Sequence, residues 1–311
     1  MSNHQPVLVT EVLEGLAVIE DGWYVDGTYG RGGHSAGILA RLGEHGRLLA
    51  LDKDPQAVDH AQRSFAADAR FSVRHGGFED LRKHTEPWIG AHPLAGVLLE
   101  LGVSSPQLEV SERGFSFSMD GPLDMRMHPT EGITAAEWLR QVDKSELTDV
   151  LRRLGEEPRA RQIARAILKA RSKAPITTTG ELVEIIMSVS DGRASRIHPA
   201  TRTFQAIRIC INDELQNLRL GLRVCASLLA EGGRLCVISF HSLEDRIVKR
   251  FMAREAKGDP VYAGLPEVPL EARPTLRLLG GLTRPSQREI EANPRARSAR
   301  LRVAEKLGAS A

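Results

Sequence analysis

The sequence predicts an α/β protein, a doubly wound and mostly parallel sheet interrupted by a helical insertion. Three observations carry that expectation. Over the first hundred residues, apolar runs alternate with amphipathic stretches in the βα manner, which implies parallel strands covered by helices on both faces. The segment Tyr24-Val25-Asp26-Gly27-Thr28-Tyr29-Gly30-Arg31-Gly32-Gly33-His34 reads as strand, glycine turn and helix start. A second apolar run, Leu48-Leu49-Ala50-Leu51, ends on Asp52, 22 positions after Gly30. That is close to the roughly 20 between a glycine turn and a ribose-binding carboxylate.

Taken in order, strands are expected near 23–26, 47–52, 71–75 and 95–101, with helices near 34–43, 55–67 and 79–88. Pro55 directly after Asp54 suits a first helical turn. Residues 105–132 are loop-like, rich in Ser-Pro, Gly-Phe and Asp-Gly-Pro turns. From 134 to 190 the pattern is helical and amphipathic, as in Leu147, Val150, Leu151 and Leu154, then Ile163, Ala164, Ile167 and Leu168. One long helix is expected over 203–230, ending at Gly232-Gly233. A strand over 234–240 and a helix over 243–256 follow, then strands near 275–279 and 298–305 closing the sheet as a hairpin. The division expected is a discontinuous sheet domain, 1–132 and 203–311, with an inserted helical domain at 133–202.

Composition places the chain among soluble globular proteins: 311 residues, 41% hydrophobic and 26% charged. No apolar run approaches the roughly 18 residues that span a bilayer. The first residues lack a basic region followed by an apolar one, so no signal peptide is expected. The three cysteines, Cys210, Cys225 and Cys236, are widely spaced, which suits a reducing cytoplasm and core packing rather than a zinc site or disulfides. No cluster at ligand spacing suggests a metal. The net charge of +2 hides two basic segments. Residues 152–173 hold eight Lys or Arg against two Glu, and residues 284–306 hold seven against three. Solvated faces and phosphate-contacting surfaces both read this way; together with a nucleoside site they favour a nucleic-acid substrate.

Gly30 and Gly32 allow close backbone approach to a ligand, and Asp52 would accept hydrogen bonds from a ribose diol. In an open parallel sheet the ligand sits at the carboxyl ends of the strands, where residues 26–33, Asp52, Phe78 and Glu100 converge. NAD and S-adenosylmethionine both present such a diol. Ser35 stands where a third glycine would complete the dinucleotide pattern. Asp26 would repel a pyrophosphate but could hold an ammonium, so S-adenosylmethionine is favoured.

Several long segments, in order, resemble one family: the bacterial 16S rRNA (cytosine-N4)-methyltransferases, the ribosomal small-subunit methyltransferase H or MraW family. They run from His4-Gln5-Pro6-Val7-Leu8 to Asn293-Pro294-Arg295-Ala296-Arg297-Ser298-Ala299. Between lie residues 26–35, Leu101-Gly102-Val103-Ser104-Ser105-Pro106-Gln107, Arg113-Gly114-Phe115-Ser116-Phe117, residues 120–127, His198-Pro199-Ala200-Thr201-Arg202-Thr203-Phe204-Gln205-Ala206, and Ser239-Phe240-His241-Ser242-Leu243-Glu244-Asp245-Arg246. The resemblance implies a class I S-adenosylmethionine-dependent methyltransferase fold with an inserted helical substrate-recognition domain. It implies methylation at N4 of a cytidine in the decoding centre of 16S rRNA, in a nearly mature small subunit. The cofactor contacts it implies are Gly32, Gly33, His34, Asp52, Phe78, Glu100 and Gln107. Glu100 stands where the family usually has Asp.

Cytosine N4 is a poor nucleophile, and an acceptor near the amine would help remove its proton. Many amino-methyltransferases supply one from an Asp/Asn-Pro-Pro-aromatic loop, which this chain lacks. The candidates are Ser104, Ser105, Asp120, Asp124 and His241, each of which could instead cap a helix or hold a turn. Phe115, Phe117 and Phe204 could stack a flipped cytosine or lie in the core. Arg161, Arg165 and Arg202 would contact phosphates. An apolar helix face in the insertion could pair two subunits or pack internally. A DNA amino-methyltransferase, a non-catalytic small-subunit assembly factor and an NAD oxidoreductase are the competing readings.

Overall fold

The computed structural model describes residues 6–90, 92–190, 197–262 and 267–308; His4 and Gln5 of the first motif lie outside these. The first segment alternates as α1 (Val9–Leu16), β1 (Trp23–Asp26), α2 (Gly33–Leu39), β2 (Arg47–Asp52), α3 (Pro55–Ser64), β3 (Phe71–His75), α4 (Leu81–Ile89) and β4 (Leu94–Glu100). Helices follow: α5 (Ser105–Glu109), α6 (Ala135–Gln141), α7 (Lys144–Leu154), α8 (Ala160–Arg171), α9 (Thr179–Ser188), α10 (Thr201–Ile211) and α11 (Glu214–Leu228). Then come β5 (Leu229–Ser239), α12 (Ser242–Lys257), β6 (Leu276–Leu278), α13 (Gln287–Ala292) and β7 (Arg300–Lys306).

The seven strands form one sheet in the order β3-β2-β1-β4-β5-β7-β6. β1 to β5 are parallel, and β7 runs antiparallel to both β5 and β6. The chain builds outward from β1 through β2 to β3, then returns to place β4 on the other side of β1. The switch point therefore lies between β1 and β4, the position where such sheets bind ligands. Strand pleating explains the near-continuous apolar runs. Leu49, Leu51, Val97, Leu99, Leu235 and Val237 pack into one core with Leu218 and Leu222 of α11. Their alternating neighbours Leu48, Leu98, Cys236 and Ile238 pack into another with Val12 and Leu16 of α1 and Ile38 of α2.

The expected strands of the first hundred residues stand within about one residue of their places. α1 and α13 were not foreseen, and the long helix expected over 203–230 is two helices. Asn212 breaks it: its Oδ1 accepts from the Met127 N–H at 2.7 Å, and its Nδ2 donates to the carbonyls of Met125 and Arg208. Asp213 then takes a left-handed φ of 49°, outside the helical region.

Two compact units result, Met1–Gly102 with Leu215–Ala311, and Val103–Glu214. The helical unit is wider at both ends than the expected 133–202. Phe115, Leu123 and Met125 before it, and Phe204, Ala206 and Ile207 after it, are buried in the same core as Leu147, Leu151, Ile163 and Ile167. The loop-like stretch is stitched in as well: the Leu123 N–H donates to Thr177 O at 2.8 Å and the Ala135 N–H to Asp124 O at 2.7 Å. The apolar faces of α7 and α8 thus pack within their own unit.

Candidate active site at the carboxyl ends of the strands

In the sheet unit, register places three acidic residues around one turn. Asp26 ends β1 and pairs with Ala50 of β2 and Leu98 of β4. Asp52 and Glu100 stand two residues further along their strands, about 7 Å beyond the end of β1, and flank the turn over residues 27–33. The turn is tied to both sides. The Gly30 N–H donates to Asp52 Oδ2 at 2.8 Å, and the Tyr29 N–H to Leu51 O at 2.9 Å. On the other side the Gly27 N–H donates to Leu98 O at 2.9 Å and the Glu100 N–H to Thr28 Oγ1 at 2.6 Å. Gly30 and Gly32 hold left-handed φ values of 56° and 73°, which glycine adopts without Cβ strain. α2 starts directly after, and His34 in its first turn lies 4% exposed, with Nε2 3.5 Å from Glu100 Oε2.

The carboxylates differ in what they can do. Asp52 Oδ1 accepts from the Asp54 N–H at 2.8 Å while Oδ2 holds Gly30. Each oxygen keeps a further acceptor site, so the backbone aims the carboxylate without saturating it. Burial pushes the Asp52 carboxyl up to about 6, against those two backbone hydrogen bonds. Asp26 is held differently. It is 1% exposed, and its oxygens accept from the Thr28 N–H at 3.1 Å and the Ser35 hydroxyl at 2.7 Å. Burial raises it to about 6, and both of these donors lie within the turn and the start of α2, so it anchors the turn from within. Glu100, half-buried, is pushed up to about 8 by burial and then by the Asp26 charge.

Phe78 follows β3 and is partly buried against the core beneath the sheet. A Cβ on Gly221 of α11 would come within 2.6 Å of its ring, so that glycine makes room for it. His241 follows β5, the strand beside β4, and caps α12. Its Nδ1 accepts from the Glu244 N–H at 3.4 Å, and its Nε2 lies 3.0 Å from Glu244 Oε1.

In the helical unit, Gln107 is buried in α5, where its Oε1 accepts from the Ser104 N–H at 2.9 Å as half of a capping box. Ser105 is the first residue of α5. Asp120 accepts from the Gly180 N–H at 2.7 Å, and this bond first among several lowers its carboxyl below the usual range. Asp124 grips Arg126 through both oxygens at 2.8 Å. Arg161 and Arg165 are exposed along α8 with Lys169, while Arg202 is half-buried in α10. Of the remaining basic residues, Arg171 donates to the carbonyls of Leu139 and Val142. In the tail, Arg300 and Arg302 hold Asp245 at 2.9 and 2.7 Å. The tail's charge is therefore partly spent inside the fold, and the two basic segments are not equivalent.

Thr28, Ser35 and Asp54 were missed as site residues. The pattern Asp52-Lys53-Asp54-Pro55 was a signal for the last: Asp54 caps α3 through the Gln56 N–H at 3.0 Å while its own N–H fixes Asp52. Nothing in the sequence marks Ser35 as the partner of Asp26.

A Cβ at Gly30 would meet no atom within 4 Å, so the turn leaves open space beside a carboxylate aimed by two N–H groups. That fits an adenosine diol. The sheet order, the switch-point turn and the acids on the flanking strands define a class I S-adenosylmethionine-dependent methyltransferase. Within that class, the chain belongs to the MraW methylase family, whose profile matches residues 1–307. A ribosomal RNA small subunit methyltransferase H from Stenotrophomonas maltophilia (strain K279a) is 55% identical over 308 residues, covering 99% of this chain and 94% of that one. The protein of the same name from Coxiella burnetii (strain Dugway 5J108-111) is 54% identical over 309 residues, covering 99% and 100%.

Proposed function

We propose that this protein methylates the N4 amine of a cytidine in the decoding centre of 16S rRNA, within a nearly mature small subunit in the cytoplasm. One observation carries the reading: in a chain of the MraW methylase family, the turn over residues 27–33 is tied between Asp52 and Glu100. Bound there, S-adenosylmethionine supplies a methyl group already activated on a sulfonium. The protein's work is to hold the ribose on Asp52, orient the acceptor and exclude water. Glu100, raised to about 8, is mostly protonated at neutral pH and offers an O–H donor on the other side of the turn. His34 lies on that side, and Phe78, which follows β3, is a further cofactor contact. Gln107 is an indirect contributor that shapes the start of α5.

The acceptor for the amine proton is assigned to Ser104, Ser105 or His241. Asp120 and Asp124 fit the role poorly, because one is a weakened base holding Gly180 and the other has both oxygens on Arg126. The exposed row Arg161, Arg165 and Lys169 on α8, with Arg202, provides phosphate contacts.

The experiment is methyl transfer from labelled S-adenosylmethionine to unmethylated small subunits, naked small-subunit rRNA and duplex DNA, with the digested nucleosides analysed by mass spectrometry. N4-methylcytidine formed over many turnovers on the subunits is the expected result. Stoichiometric binding without a methylated nucleoside supports the assembly-factor reading, and methylated DNA the other. Among acceptor variants, Ser105→Ala or His241→Ala should lower kcat without changing cofactor affinity.

A further inference from the structure

Three aromatic rings in the helical unit form a ladder from core to surface. Phe204 of α10 is 4% exposed. Phe117 meets it edge-on, with centroids 5.8 Å apart and planes at 82°. His198 then lies flat on Phe117, with centroids 4.7 Å apart and planes at 8°. Phe117 is half-buried and His198 exposed. Phe115, by contrast, is buried.

The outermost ring is held in orientation by the turn leading into α10. The Ala200 N–H donates to His198 Nδ1 at 3.2 Å, and the Thr201 N–H to His198 O at 3.0 Å. With Nδ1 an acceptor, a neutral imidazole carries its proton on Nε2, as a donor. An exposed planar ring, backed by a second ring and fixed by its own backbone, is preorganised for stacking and loses little freedom on binding. The unit that carries it also carries the exposed cationic row on α8, which attracts phosphates.

We propose that His198, backed by Phe117, is a stacking platform for an unpaired base of the RNA substrate. This deepens the reading above by naming a base-contacting residue distinct from the phosphate-contacting row. Stacking on an aromatic side chain tolerates any base and is worth about a factor of ten or more in affinity. Stacking on a base places no cation against a phosphate, so it should not contribute to the salt dependence of binding.

The test measures equilibrium binding of a small-subunit rRNA fragment containing the decoding-centre strand, over a salt series, to the full-length protein and its His198→Ala, His198→Phe and Phe117→Leu variants. His198→Ala should weaken binding roughly tenfold with an unchanged slope of log affinity against log salt. Phe117→Leu should weaken it in the same direction, and His198→Phe should stay within about threefold of the parent. S-adenosylmethionine affinity should be the same in all four proteins, which reports an intact sheet unit. Unchanged RNA affinity in His198→Ala overturns the proposal. So does a slope reduced by about one, which would assign the imidazole to a phosphate, or a Phe variant as weak as the Ala variant. Failure of the methyltransferase reading is seen separately: the unsubstituted protein would bind the RNA yet form no methylated nucleoside.

Discussion

Asp52 is held by two backbone N–H groups and still has acceptor capacity for a diol. Its removal should therefore strike the cofactor first. Asp52→Ala is expected to weaken S-adenosylmethionine by about tenfold or more, the worth of a charge-assisted hydrogen bond, in a protein that keeps its circular dichroism. Unchanged affinity by calorimetry would mean the ribose is held elsewhere. Glu100 predicts a pH effect. Burial and the Asp26 charge raise its carboxyl from the usual value of 4.5 to about 8. Folding therefore takes up a proton between those values: its contribution to stability is complete below about pH 4.5 and is lost as pH rises through about 8. Glu100→Gln removes that loss, so the Tm of the variant relative to the parent should climb from about pH 5 to about pH 9. A difference that stays flat in thermal melts across that span would refute it. The residues that hold these acids were less legible than the acids themselves. Asp52 announced itself by its place after an apolar run, whereas Ser35, which donates to Asp26 at 2.7 Å, looks like any helix serine.

At the scale of single elements, α8 separates two kinds of arginine. Arg161 and Arg165 lie exposed one turn apart, and Ile163, Ala164 and Ile167 face the core. Arg171 at the end of the same helix is consumed by the carbonyls of Leu139 and Val142. Reversing Arg161 and Arg165 to Glu should weaken rRNA binding and reduce its salt slope by about one to two. Binding unaltered across a salt series would remove this face from the interaction. The amphipathic period showed which positions of α8 are exposed; it had no means to show which arginines cap a neighbouring helix. The same holds for β7, where Arg300 and Arg302 clasp Asp245 of α12. Asp245→Ala leaves two half-buried guanidinium groups without their carboxylate and should cost roughly 1–3 kcal/mol of stability, read in urea unfolding. A loss under about 0.5 kcal/mol would class the pair with ordinary surface bridges.

Across the whole molecule, the sheet unit is cored on both faces of its sheet, and the helical unit has a core of its own. A cavity in one should be felt mainly there. Leu151→Ala removes a fully buried side chain from the helical unit, at a cost of about 2–5 kcal/mol. Native-state hydrogen exchange should speed up in α7, α8 and α10 more than in β1, β2 and β4. Equal acceleration in both would show that the molecule unfolds as one cooperative body.

The sequence by itself determined the βα alternation, the glycine turn, the acids that end the strands and the amphipathic faces of α7 and α8. Each of these is written in local order: a period of two or near four, a left-handed φ that glycine tolerates, an acid at the end of an apolar run. Tertiary structure alone decided the break at Asn212, the joining of residues 103–132 to the helical core, the burial of Asp26 and the use of Arg171, Arg300 and Arg302 as internal clasps. Those outcomes depend on hydrogen bonds and contacts between positions tens of residues apart, and a linear pattern does not record which distant partner a polar side chain will meet.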